Sequence, residues 1–243
     1  MDDNPLVFAM KYENYVFDLY GTLIDIRTDE DQDVLWQKSA IWLEKKGVNI
    51  EPEVMRIQYH EIIERERAGR RDVRYPEVSV LKVFDEICAG KLSERELKEF
   101  AWYFRQESTL KLQLYDGVIE LLEYIRNNGA KTILLSNAQT CFTMPELKKL
   151  ELLKYLDHVF ISSDYGVCKP DEVFWKIMID RTKIDPHKTV MIGNDYFSDI
   201  SGARAFGVKG IYIHQDISPQ NEPEFTCEAK IMDGNVRKIA EYL

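Results

Sequence analysis

The chain has 243 residues, 45% of them apolar, which is enough for one sizeable core or a core with a smaller second domain. Its 42 acidic against 32 basic residues give a formal charge of -10 and argue against a nucleic-acid-binding surface, since such binding is driven largely by phosphate neutralisation; a small-molecule ligand is expected instead. No segment approaches the roughly 18 consecutive apolar residues that cross a bilayer. The run from Pro5 to Met10 is short and follows Asp2 and Asp3, where a signal peptide would be basic, so neither membrane attachment nor export is expected. Cys88, Cys141, Cys168 and Cys227 are widely spaced, with no CxxC pair or Cys/His cluster, which points away from a disulfide framework or structural zinc and towards a reducing, cytoplasmic setting.

Residues 14–20 form a mostly apolar run of the kind buried in a parallel sheet. From about Asp31 to Leu112 the apolar spacing becomes helical. Val34 to Leu43 repeats at three- and four-residue steps before the stop Lys45-Lys46-Gly47, and further helices are predicted near 53–68, 77–89 and 93–111, the last opened by a Ser93-Glu-Arg-Glu96 capping box. No strand is predicted in this block. After Asp116-Gly117, helix and strand alternate: helix 118–128, strand 131–137, helix 144–155, strand 158–163, helix 171–182, strand 189–193, helix 199–206 and strand 210–214. The tail 215–243 carries Pro219, Pro223 and a last helix. Strands separated by helices of this length predict an α/β fold, a doubly wound parallel sheet of Rossmann-like type built from residues 1–26 and 114–243. The all-helical block 27–113 is then an insertion after the first strand.

In open parallel sheets the ligand site forms at the carboxyl ends of the strands. The first predicted strand delivers Asp18, Tyr20 and Thr22, and the second delivers Ser136 and Asn137. The loop after the third carries Lys169, and the fourth delivers Gly193, Asn194, Asp195 and, one turn on, Asp199. Each taken alone is a common turn former, helix cap or solvated loop residue. Together, three carboxylates, a lysine, two aliphatic hydroxyls and the asparagine amides at one edge form a catalytic constellation. A carboxylate nucleophile can split a displacement into two steps through a covalent intermediate. Lys169 and a divalent cation would hold Asp18 charged and draw in the electrophile, and magnesium suits a set of oxygen ligands such as Asp18, Asp195 and Asp199.

The motifs Phe17-Asp-Leu-Tyr-Gly-Thr-Leu23, Leu134-Leu-Ser-Asn137, Lys169-Pro170 and Ile192-Gly-Asn-Asp-Tyr-Phe-Ser-Asp199 resemble, in order and content, the haloacid dehalogenase superfamily of hydrolases. The helical insertion falls where that superfamily places its cap domain. The resemblance implies that Asp18 is the nucleophile and that Thr22 positions its loop. Ser136 and the Asn137 backbone then hold the transferred group and Lys169 offsets charge. Asp195 and Asp199 bind or position magnesium, with Asp18 and the main-chain carbonyl of Tyr20 as further ligands. Phosphatases of the superfamily carry an acidic residue at the place of Tyr20 to protonate the leaving oxygen, whereas the dehalogenases proper carry tyrosine there. The acidic pair Asp195/Asp199 points the other way, because the dehalogenases work without metal. Those dehalogenases also place an arginine near the start of the first cap helix to receive a carboxylate, where this chain has Gln37 and Lys38.

The stretch Arg65-Glu-Arg-Ala-Gly-Arg-Arg-Asp-Val-Arg74 is either a solvated face or a source of one arginine, from Arg70, Arg71 and Arg74, reaching over the site to bind an anion. Without an acid at position 20, His60 of the cap or a water is the expected proton source. Trp36, Trp42, Phe84, Trp102 and Phe104 are expected in the cap core. The leading expectation is a magnesium-dependent phosphatase acting on a small phosphorylated metabolite through an aspartyl-phosphate on Asp18. The alternatives are a metal-independent 2-haloacid dehalogenase and a degenerate protein that binds phosphorylated ligands without turnover.

Overall fold

The structure, a computed structural model, describes residues 10–243. The Pro5–Met10 run therefore lies, apart from Met10, outside the described residues. The chain enters β1 (Asn14–Phe17), turns, and forms β2 (Ile24–Thr28). Four helices follow: α1 (Asp33–Glu44), α2 (Pro52–Gly69), α3 (Val80–Ile87) and α4 (Glu94–Ser108). Next comes β3 (Thr109–Leu114), antiparallel to β2. The remainder alternates through α5 (Val118–Asn127), β4 (Lys131–Ser136), α6 (Thr140–Lys149), β5 (His158–Ile161), α7 (Glu172–Thr182) and β6 (Thr189–Gly193). A π-helical turn (Tyr196–Ser201) then runs into α8 (Gly202–Ala205), followed by β7 (Lys209–Ile213), β8 (Ala229–Ile231) and a closing 3-10 helix (Val236–Tyr242).

Six strands form a parallel sheet in the order β5-β4-β1-β6-β7-β8. The chain starts in the middle, winds outward to one side and then to the other, so its direction of winding reverses between β1 and β6. Such a switch point opens a crevice at the carboxyl ends of those two strands. Strand alternation sends Tyr15, Phe17, Leu134 and Ile192 into one apolar layer and Val16, Ile133, Leu135 and Met191 into the other. Each of these side chains is fully buried, which contributes about 1.5–3 kcal/mol apiece.

Helices α1–α4 form the inserted helical cap and have their own core. Phe84 packs edge-on against Phe100 and Phe104 at 4.9 and 5.3 Å and stacks on Tyr59 at 5.6 Å, and Trp36 meets Phe104 at 5.2 Å. Trp42 is only partly buried against this cluster, and Trp102 lines an outer groove. The capping box is formed, Ser93 Oγ accepting from the Glu96 N–H at 3.3 Å and Glu96 Oε2 accepting from the Ser93 N–H at 3.1 Å.

Two strands stand where the cap was predicted to be purely helical or unstructured at its edges. The helix expected to run to residue 111 ends at Ser108, and Thr109-Leu-Lys-Leu-Gln-Leu114 alternates as a strand paired with β2. This ribbon is the neck of the cap. The helix expected from 77 begins only at Val80, because residues 74–77 dock on the core. Asp171 Oδ2 accepts from the N–H groups of Arg74 (2.9 Å) and Tyr75 (3.2 Å), the Cys168 N–H donates to the Tyr75 carbonyl (2.8 Å), and the Glu77 N–H donates to the Gly166 carbonyl (3.1 Å). Helix α6 starts four residues before its predicted position and ends at Lys149, where Glu151 takes a left-handed φ of 56° before a separate 3-10 turn. The helix expected from 199 starts at Tyr196 as a π turn, and the tail contributes the unpredicted β8. Among the described residues no helix is long and apolar enough to cross a membrane.

The aromatic packing of the cap leads to a stability prediction. Phe84→Ala removes the ring on which three others rest and is expected to cost about 3–5 kcal/mol, read as a lower midpoint in urea unfolding; an unchanged midpoint would show that the cluster collapses to refill the space.

Candidate active site

Asp18 leaves β1 still tied to the sheet, its N–H donating to the Ile192 carbonyl of β6 at 2.9 Å. The chain then curls around the Leu19 carbonyl, which accepts from the N–H groups of Thr22, Leu23 and Ile24 at 3.2, 2.8 and 2.9 Å. Gly21 sits in this curl at φ 82°, and a Cβ there would stand 2.3 Å from Asn194 Nδ2. Both the conformation and the space demand glycine. Thr22 lies beneath the carboxylate, with Oγ1 3.5 Å from Asp18 Oδ2.

Lys169 is clamped by Asn137, which donates from Nδ2 to the Lys169 carbonyl (3.0 Å) and accepts the Lys169 N–H on Oδ1 (2.7 Å). Its buried Nζ donates to Asp18 Oδ1 and to Asp199 Oδ1, both at 2.7 Å. Burial alone would lower the lysine pKa, but Asp18 and Asp199 outweigh it and hold the ammonium above its ordinary range. For Asp199, which is 1% exposed, burial dominates over the pull of Lys169 and raises the carboxyl from 3.8 to about 7, with the charge of Asp18 adding to the rise. Asp199 Oδ2 accepts from the Asp195 N–H at 3.2 Å and packs so closely on Gly193 that a Cβ there would lie 2.1 Å away. Asp195 caps the π turn, Oδ1 accepting from the N–H groups of Phe197 (2.7 Å) and Ser198 (3.2 Å).

Asp18, Tyr20, Asn137, Lys169, Asp195 and Asp199 thus border one cleft of about 210 Å³, together with Asn194. Thr22 and Ser136 do not line it. Ser136 stands beside Asn137 at the end of β4, buried, its hydroxyl without a partner among the described residues.

Tyr20 does not direct its phenol at Asp18. The hydroxyl donates to Glu146 of α6 and lies 2.9 Å from Thr143 Oγ1, while Glu146 Oε1 accepts from Arg105 Nε of the cap at 2.6 Å. The Arg105 guanidinium lies 5.6 Å over the Tyr20 ring and 5.3 Å over Phe142. Burial, reinforced by Glu146 and only partly offset by Arg105, raises the phenol pKa well above its ordinary value. Tyr20 and Asn137 also border a second cavity, of about 370 Å³, between cap and core. Arg105 and Glu146 were not singled out from the sequence: an arginine inside a cap helix and a glutamate inside a core helix read as solvated positions until the two helices are packed together.

The cap residues proposed from sequence to face the site do not line the cleft. Arg70 is paired with Asp72 (2.7 and 2.8 Å), Arg65 with Glu86, and Lys38 with Glu107 (2.6 Å) at the surface. Arg71, Arg74 and Gln37 are exposed. His60, exposed beside the Trp36 and Tyr59 rings, is absent from both cavities and is no proton source for this cleft. From the arginine-rich stretch, Arg67 reaches the second cavity.

Residues 12–207 match the haloacid dehalogenase-like hydrolase family. The chain belongs to that family. It is 24% identical over 212 residues to an (S)-2-haloacid dehalogenase 4A of Burkholderia cepacia, covering 86% of this chain and 85% of that protein. It is 25% identical over 160 residues to a phosphoserine phosphatase of Thermus thermophilus, covering 65% of this chain and 62% of that one. A ribulose-1,5-bisphosphate 5-phosphatase of Halopiger xanaduensis is matched over about half its length, 48%, at 29% identity. Among solved structures, the fold is shared with a phosphatase from Thermococcus onnurineus (TM-score 0.59, 22% identity, 94% and 96% of the two chains) and a 2-haloacid dehalogenase from Pseudomonas syringae (TM-score 0.61, 18% identity, 95% and 97%).

Among the described residues no three Asp, Glu, His or Cys side chains are already gathered as a metal-ligand set; Lys169 stands between Asp18 and Asp199. The donor chemistry nevertheless fits magnesium. Three carboxylates border the cleft and Lys169 is its one cationic lining residue among those described, so hard oxygen donors carry negative charge in excess.

Two outcomes follow from this geometry. Gly193→Ala must displace Asp199 and with it Lys169, and is expected to cost about 1–3 kcal/mol in denaturant unfolding; Ala tolerated at full stability would contradict the close packing. For Asp199 the folded state holds its proton to about pH 7, above the ordinary 3.8. Its contribution to stability is therefore present below about pH 4 and lost as the pH rises towards 7. Asp199→Asn should flatten that part of the stability profile, measured as unfolding free energy from pH 4 to 8.

Proposed function

We propose that this hydrolase is a magnesium-dependent phosphatase of small phosphate monoesters. The observation that carries the reading is the excess of carboxylate over lysine at the switch-point edge, with Asp195 retained beside Asp18 and Asp199. Asp18 attacks phosphorus in line, the bond to the ester oxygen breaks, and an aspartyl-phosphate forms; water then attacks that phosphorus, releasing inorganic phosphate and restoring the carboxylate. Magnesium, held by Asp18, Asp195, Asp199 and the Tyr20 carbonyl, would neutralise phosphate charge and draw the phosphoryl group to Asp18. Lys169 Nζ donates to Asp18 Oδ1 and so orients the nucleophile. The Asn137 main-chain N–H is assigned to the phosphoryl oxygens, since its side chain is committed to Lys169; Ser136, buried outside the cleft, backs that loop, and Thr22 supports the Asp18 loop.

The leaving oxygen takes its proton from water, because the Tyr20 phenol is engaged by Glu146 and its pKa is raised. General acid help is worth about 10²- to 10⁴-fold, so activated phosphates are the favoured substrates. One observation favours a second reading: a halide needs no proton, and the same Tyr20 geometry suits a 2-haloacid dehalogenase in which Asp18 attacks carbon and halide departs.

With an activated aryl phosphate, turnover is expected with magnesium, little with chelator, and a loss on the order of 10³-fold or more in Asp18→Asn. Halide release from a 2-haloacid in the presence of chelator, with no phosphate released from any ester, would replace the phosphatase reading by the dehalogenase one.

A further inference from the structure

The cavity between cap and core carries two opposite charges, Arg105 and Glu30, that attract one another across it without forming a hydrogen-bonded pair. Arg105 is 9% exposed. Its Nε is engaged by Glu146, and neither Nη nitrogen has a hydrogen-bond acceptor among the described residues. Glu30 borders the same cavity from the neck. Its Oε2 accepts only a long bond, 3.4 Å, from the Tyr59 phenol, and its Oε1 has no donor among the described residues. The Trp36 indole donates to the Glu30 carbonyl at 2.8 Å and so anchors that stretch of main chain. Arg105 and Glu30 form no ion pair with one another.

The other charges of the cavity are accounted for. Glu77 accepts from the Val78 N–H, Gln139, Ser162 and Cys168, and Arg67 donates to Glu64. Poorly satisfied charges in a cavity are costly unless a ligand completes them. A lone carboxylate would be attracted by Arg105 and repelled by Glu30, and a lone ammonium would meet the reverse. A zwitterion satisfies both. The cavity shares Tyr20 and Asn137 with the cleft of Asp18, so the two adjoin.

We propose that this cavity binds the α-amino acid end of the substrate, Arg105 taking the carboxylate and Glu30 the ammonium. This deepens the phosphatase reading and rests on it: the substrate class is a small phosphorylated amino acid. Arg105 presents two Nη groups in the fork that a carboxylate accepts. Glu30 supplies the acceptor that a carboxylate-only substrate would leave unmatched.

The test uses the full chain carrying Asp18→Asn, titrated calorimetrically with O-phospho-L-serine, with phosphoethanolamine, which lacks the carboxylate, and with the phosphate ester of 3-hydroxypropanoate, which lacks the ammonium. The zwitterion is expected to bind tighter than either by at least about tenfold, the contribution of one charge-assisted hydrogen bond. Adding Glu30→Gln should erase the preference over the probe without ammonium, and adding Arg105→Lys should shrink the preference over the probe without carboxylate. Glu30→Gln is isosteric and leaves the Arg105–Glu146 pair in place, so the inference remains testable even where the Arg105 variant does not fold. Equal affinity for the three probes, or a preference that survives Glu30→Gln, overturns it. Failure of the phosphatase reading is seen separately, as no hydrolysis of an activated aryl phosphate, which lacks both ammonium and carboxylate, by the unmodified protein.

Discussion

The buried ammonium of Lys169, donating to Asp18 and Asp199 at once, is the interaction on which the arrangement of the site depends. It joins three strand ends that are far apart in sequence. Without it, two carboxylates would face each other across a partly dry cleft, and the rise in the Asp199 pKa that burial and Asp18 already cause would be larger still. The consequences reach into the backbone. Asn137 clamps the Lys169 main chain from both sides, and Gly193 is required because Asp199 lies against it. Gly21 is required because Asn194 lies against that loop. The catalytic edge is therefore a close-packed assembly in which polar side chains occupy the volume that apolar ones fill elsewhere.

The cap is attached to this edge at more than one place. The β2–β3 ribbon carries the chain out and back, and residues 74–77 lie along the loop that leads to Lys169. Between these attachments, Arg105 of the cap, Glu146 of the core and Tyr20 of the catalytic loop form one buried hydrogen-bonded group. This explains why tyrosine at position 20 neither blocks the site nor serves it as an acid. Its ring forms part of the wall between cleft and cap cavity, and its hydroxyl belongs to the joint between the two layers.

One relative of this chain is a 2-haloacid dehalogenase and another a phosphoserine phosphatase, and in the function proposed for this chain Asp18 would serve as nucleophile for either reaction. The choice lies in how charge and protons are handled around that nucleophile. In this chain the carboxylate excess speaks for a cation and a phosphoryl group, and the locked phenol speaks for a leaving group that asks for no acid. The two observations are compatible in a phosphatase of activated or otherwise assisted esters. The proposed seat of substrate selection is the cap cavity, where Arg105 and Glu30 have hydrogen-bonding capacity left for a ligand.

Much was legible in the sequence, for local reasons. Apolar runs broken by glycine and small polar residues marked the parallel strands, and the polar residues at their ends, Asp18, Asn137, Lys169, Asp195 and Asp199, do border one cleft, because the carboxyl ends of parallel strands share an edge by topology. The neck strand after Ser108 was hidden because its alternating residues follow an amphipathic helix directly, and the extended stretch 74–77 was hidden because its hydrogen bonds go to another part of the chain. Arg105 and Glu146 carried no local signal at all, since pairing between residues so distant depends on how α4 packs on α6. The sequence by itself determined the class of fold and the charge of the edge at the strand ends, because these follow from residue type and strand order. Only the tertiary structure decided where Tyr20 points, which arginine faces the ligand space and which carboxylates are left unpaired, because those are set by side chains meeting across the interface between cap and core.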